Sequence, residues 1–145
     1  MKSKLFLVLI VLLSFCNCSK NNSKSIVGTW RMFYAESIEN DSVIIKNLDS
    51  TSFIKIINDN HFAFFNQTLG NQEVFYGGGG SYTLEGDKYT EVLNYTSVKS
   101  LRNHSFPFTV KIKGDTLIQS GIEFVKKANL NRKIIEKYIR VKQSK

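Results

Sequence analysis

The stretch Gly77-Gly78-Gly79-Gly80-Ser81-Tyr82-Thr83-Leu84-Glu85-Gly86-Asp87-Lys88-Tyr89-Thr90-Glu91 decides how the chain is read. Four glycines open it, an alternating segment follows, and Glu85-Gly86-Asp87 supplies turn chemistry before a second alternating segment, Lys88 to Thr96. Glycine tolerates the positive φ of tight turns, so the stretch predicts a β-hairpin with a flexible entry. A hairpin at the centre of a chain this short implies an antiparallel meander.

The same pattern continues on both sides. Ile26 to Tyr34 reads as the first strand, with Gly28, Trp30, Met32 and Tyr34 on one face by period two. Asn40-Asp41-Ser42 turns into Val43 to Lys46, residues 47–50 turn again, and Ser52 to Ile57 is joined through Asn58-Asp59-Asn60 to His61 to Phe65. Downstream, Phe108, Val110 and Ile112 alternate with Thr109, Lys111 and Lys113, and Gly114-Asp115 turns into Thr116 to Ser120. Ser97 to Ser105 is a long hydrophilic connection expected at one rim, residues 121–132 are ambiguous, and only Val125 to Leu130 hints at a helical period. Short, evenly spaced strands predict an all-β barrel or sandwich of about 8–10 strands.

The 145 residues suffice for one domain, and with 42% hydrophobic and 12% aromatic residues the chain can bury a core biased towards pleated surfaces. Its first residues differ in kind. Lys2 and Lys4 precede the apolar run Leu5 to Leu13, and Ser14-Phe15-Cys16-Asn17-Cys18 follows, which describes an export signal too short to span a bilayer. Both cysteines lie there, so residues 19–145 cannot form an internal disulfide. Residues 1–17 are thus expected to be a lipoprotein signal peptide, 18–25 a polar tether, and 26–145 the folded domain. Loss of Lys2 and Lys4 leaves 18 basic residues against 12 acidic, a net charge of +6. Scattered lysines in an exported chain argue against nucleic acid and suit a solvated surface or anionic envelope surroundings.

A cysteine directly after an export signal resembles the acylation site of bacterial lipoproteins, which marks Cys18 as the lipidated residue and a membrane anchor as the first partner. The tether lacks an acidic run resembling a surface-export signal, which implies an outer-membrane location facing the periplasm. Gly28-Thr29-Trp30 resembles the lipocalin signature, in which the Trp closes one barrel end and a basic residue from the last strand covers its ring. The matching residue is Arg140, a cation–π pair of about 0.5–2 kcal/mol. Residues 79–91 and Glu136-Lys137-Tyr138-Ile139-Arg140 together resemble a lipocalin-like family of uncharacterised Bacteroidetes lipoproteins, with Tyr138 where Trp is commoner. The resemblance implies a single antiparallel up-and-down β-barrel of lipocalin-like, calycin type, and no activity.

Chemistry is sparse. His61 and His104 are far apart, in no metal-ligand or nucleophile spacing, and the glycine run precedes a strand where a phosphate loop needs a helix. No enzyme, cofactor or metal is therefore expected. Parity supplies the candidate site: Tyr89, Glu91, Leu93 and Tyr95 share one face, as do Ile134, Glu136, Tyr138 and Arg140. If both faces line the interior, Glu91, Glu136 and Arg140 approach one another, and buried charges must pair or meet a polar ligand. One reading is a structural network. The other is a ligand site in which the Tyr hydroxyls and Arg140 hold the head of an amphipathic molecule beneath Trp30, with Phe62, Phe64, Leu93, Phe108 and Val110 around its body. His61 reads as a turn-edge residue. A non-catalytic carrier of a small apolar or amphipathic molecule, expected to be a monomer, is the leading function; an envelope interaction module with a side-chain-filled barrel and no small-molecule ligand is the alternative.

Overall fold

A computed structural model describes residues 25–70 and 74–142. The strands are β1 (Gly28–Glu39), β2 (Ser42–Ile45), β3 (Thr51–Ile57), β4 (His61–Thr68), β5 (Phe75–Glu85), β6 (Lys88–Thr96), β7 (His104–Lys113), β8 (Thr116–Val125) and β9 (Leu130–Arg140). Every strand from β3 to β9 pairs antiparallel with its sequence neighbour, and β1 pairs with both β3 and β9. The wall is a closed eight-stranded up-and-down barrel, with β2 attached to the far half of β1 as a short ninth strand. Among the described residues, closure leaves no free edge except along β2. The ambiguous residues 121–132 continue β8, make a 3₁₀ turn at Lys126–Ala128 and start β9.

Turn chemistry sets the register. Asn40 and Asp41 both take positive φ in the two-residue β1–β2 turn, and Gly86 and Gly114 do so in the β5–β6 and β7–β8 turns. The glycine run behaves differently from its sequence-based reading. Gly77 to Gly80 lie inside β5, paired with β4, rather than forming a flexible entry. They are needed for close approach: a Cβ on Gly79 would come within 2.5 Å of the Phe62 carbonyl oxygen, and one on Gly80 within 1.9 Å of that of Val92.

One end of the barrel is sealed. Trp30, Tyr89, Leu117, Tyr138 and Ile57 are almost wholly buried there, and Trp30 Nε1 donates to the Ile26 carbonyl at 2.7 Å. Arg140, paired in register with Trp30, lies 4.1 Å from its ring centroid and donates to the carbonyls of Val27 and Ser25 at 2.7 and 2.6 Å. The basic residue over the Trp is thus where the lipocalin-like resemblance implied it. Residues 25 and 142 both emerge at this end, while the β1–β2, β6–β7 and β8–β9 connections lie at the other.

Candidate functional site

At the end remote from Trp30 the barrel opens into a cavity of about 400 Å³. The volume lies within the range of small-molecule sites. Its floor is polar. Lys55 of β3 is 3% exposed; its ammonium pairs with the Glu91 carboxylate of β6 and donates to Gln119 Oε1 of β8 at 2.8 Å. Three rings, of Phe62, Tyr89 and Tyr138, surround the ammonium with centroids 5.4, 5.6 and 5.8 Å away. Strand pairing tolerates this charge in the interior because each of its neighbours is either an opposite charge, an acceptor or a π face.

Above the floor stands Glu136, opposite Gln119 in the β8–β9 ladder, its carboxylate accepting the Tyr138 hydroxyl at 2.6 Å. Burial holds its pKa above the usual carboxylate range; Lys55 and the Tyr138 hydrogen bond pull it down, and Glu123 and Glu91 push it up again. Burial, followed by the Glu136 charge, raises the Tyr138 phenol well above its ordinary value. Phe53 and Phe64 stack at 5.6 Å on one wall, and Phe106, Phe108 and Leu93 form another. Nearer the mouth, Lys46 lies 5.1 Å over the Phe53 ring and reaches Asn66 Oδ1 at 3.4 Å. Burial lowers its pKa, against the pull of Glu136 and with the help of Arg132. Arg132 itself is held by Glu123 at 2.5 Å and by Glu39 at 3.9 Å.

Of the residues picked out from sequence, Glu91, Glu136 and Tyr138 line this cavity, with Phe64, Leu93 and Phe108. Trp30 and Tyr89 do not; both are fully buried beneath it. The Tyr89 hydroxyl has no hydrogen-bond partner among the described residues, and burial, then the Glu91 charge, raises its pKa far above the ordinary phenol. Phe62 is buried under Lys55, and Val110 packs in the core without reaching the cavity.

Three expectations are corrected. Tyr95 is 71% exposed on the outer wall, because β6 carries an extra residue opposite Gly80: Gly79 pairs with Tyr95 and Ser81 with Val92. That bulge reverses the parity after Leu93, and Asn94 Oδ1 fills the gap by accepting the Ser81 amide at 3.2 Å. Arg140 serves the seal and not the Glu91–Glu136 cluster; the cation there is Lys55. A similar bulge at Phe33 turns Tyr34 away from the face of Met32 and brings Ala35 inward. His61 sits at the β3–β4 turn, exposed, with Nδ1 2.6 Å from Asn60 Oδ1. Cys18 and the signal segment lie outside the described residues. Sequence reasoning missed Lys55 although Phe53, Lys55 and Ile57 alternate inward on β3.

No group of His, Cys, Asp and Glu among the described residues is placed to hold a metal ion. Residues 25–145 match DUF4488, a domain of unknown function. The chain belongs to the DUF4488 family. A search of the curated proteins returns no match. The geometry of this DUF4488 barrel, with one end sealed and the other entering a polar and aromatic chamber, is therefore the basis for a functional reading.

Proposed function

We propose that the protein is an exported lipoprotein, anchored through acylated Cys18, whose lipocalin-like barrel carries one small amphipathic molecule without chemical conversion. The observation that supports carriage is the cavity of about 400 Å³, open at one end and lined by both aromatic walls and a polar floor. A barrel whose purpose was only to present its surface would gain stability by filling that space with side chains, since protein interiors pack to crystal-like density. The Gly28-Thr29-Trp30 start and the Arg140 cover agree with the lipocalin-like resemblance, and the export signal with an envelope location.

Gentle purification followed by native mass spectrometry tests the reading: a bound small molecule, released by organic solvent, is the expected result. An empty protein that also fails to bind a fluorescent fatty acid would overturn it. Labelled palmitate tests the anchor, with incorporation expected to vanish in Cys18→Ala. Exposed β2, whose Val43, Ile44 and Ile45 are 60, 53 and 64% accessible beside the mouth, favours the second reading, an envelope docking module. That reading gains if the cavity proves empty and β2 substitutions abolish capture of a specific envelope protein.

A further inference from the structure

The charges around the cavity do not balance. Its lining contains the carboxylates Glu36, Glu91, Glu123 and Glu136 and the cations Lys46, Lys55 and Arg132, four against three. Pairing distributes the deficit unevenly. Lys55 is taken by Glu91, and Arg132 by Glu123. Glu36, at the rim, accepts the Tyr34 hydroxyl. Glu136 stands deeper, with the Tyr138 hydroxyl as its one hydrogen-bond donor and no cation in ion-pair contact among the described residues. Lys55 and Lys46 act on this carboxyl only at a distance, and without a cation in contact its ionised form is poorly compensated for its removal from water.

The surroundings fit the missing charge. Stacked Phe53 and Phe64 and the tilted Tyr138 ring, 6.1 Å from Phe53, line the same chamber, and π faces attract a desolvated cation. Lys55 exploits such rings just below, and Lys46 lies over the outer one. We propose, resting on the carrier reading, that the molecule held in this barrel carries a positively charged nitrogen, a protonated amine or equivalent, seated against the Glu136 carboxylate between these rings. Lys46, at the mouth and bonded only weakly to Asn66, is positioned to donate to an acceptor at the outer end of the same molecule. An anionic head driven to the floor would instead meet two carboxylates, with the one ammonium already committed to Glu91 and Gln119.

The groups facing Glu136 are Lys55 from β3, Glu91 from β6, Glu123 from β8, Tyr138 and Arg132 from β9, Lys46 after β2 and Glu36 from β1. Burial keeps the empty site's carboxyl protonated to a higher pH than usual, so an arriving ammonium displaces that proton. Binding of an amine therefore strengthens as pH rises through the elevated pKa of Glu136, and a proton is released to buffer.

Calorimetric titration of the purified barrel with three near-isosteres, phenylbutylamine, phenylbutanol and phenylbutyrate, tests the proposal. The amine is expected to bind roughly tenfold or more tightly than the alcohol, as a charge-assisted contact implies, and the carboxylate least. Titrations in buffers of different ionisation enthalpy should report proton release with the amine alone. Glu136→Gln should erase the preference for amine over alcohol while its circular dichroism stays that of the parent. Alcohol or carboxylate binding as tightly as the amine, or a preference that survives Glu136→Gln, overturns the charge assignment and leaves the carrier reading intact. Failure of all three probes, together with no small molecule copurifying, overturns the carrier reading and this inference with it.

Discussion

Two interior residues control how the barrel responds to its conditions. The folded-state pKa of Glu136 is raised, chiefly by burial, so ionisation is disfavoured in the fold and costs stability as pH climbs from the unfolded carboxylate value through the raised one. Glu136→Gln removes that cost. The variant should melt at a higher temperature than the parent at about pH 8 and at the same temperature near pH 4, where both side chains are neutral. Parallel melting curves check it, and a parent that is equally stable or more stable at pH 8 would contradict the placement of Glu136. Lys55 is the reverse case. Lys55→Met strands the Glu91 carboxylate in the interior and should cost about 3–5 kcal/mol, whereas Lys55→Met with Glu91→Met should recover much of it. Denaturant titrations of the two variants give the comparison, and equal losses would mean that the pair is not coupled.

At the level of strands, the glycines divide into two kinds. Gly86 turns the chain at φ 63° with open space where a Cβ would point, so Gly86→Ala should cost about 1 kcal/mol through backbone strain. Gly80 has ordinary φ, but its Cβ would strike the Val92 carbonyl, and Gly80→Ala should therefore lower the melting temperature much more, with lost amide protection centred on β5 and β6. Comparable effects from the two substitutions would count against the close approach. The contrast also marks what the sequence could and could not reveal. Most strands and turns were legible, because period-two alternation and turn residues are local signals, whereas the Trp30–Arg140 seal followed only from the lipocalin-like resemblance. Tyr95 was misplaced since one extra residue in β6 inverts parity, and the bulge sits against Gly80 of the neighbouring strand, a non-local contact that no window of β6 contains. The burial of Lys55 had a local signal in its alternation with Phe53 and Ile57, but its partners Glu91 and Gln119 lie 36 and 64 residues away. Only closure of the sheet brings them together.

For the molecule as a whole, closure joins β1 to β9, and the Arg140 bond to Val27 spans 113 residues. Such non-local pairing places refolding in the range of milliseconds to seconds, measurable by stopped-flow fluorescence of Trp30, the sole tryptophan; a microsecond phase carrying the full amplitude would be incompatible with late closure. The same seam has a directional consequence. Since residues 25 and 142 leave beside Trp30, anything that holds the chain upstream of residue 25 grips it by its base. In the proposed lipoprotein the entrance would then look into the aqueous compartment, so cargo would be collected from solution or from a facing donor instead of sliding in sideways from the leaflet that bears the anchor.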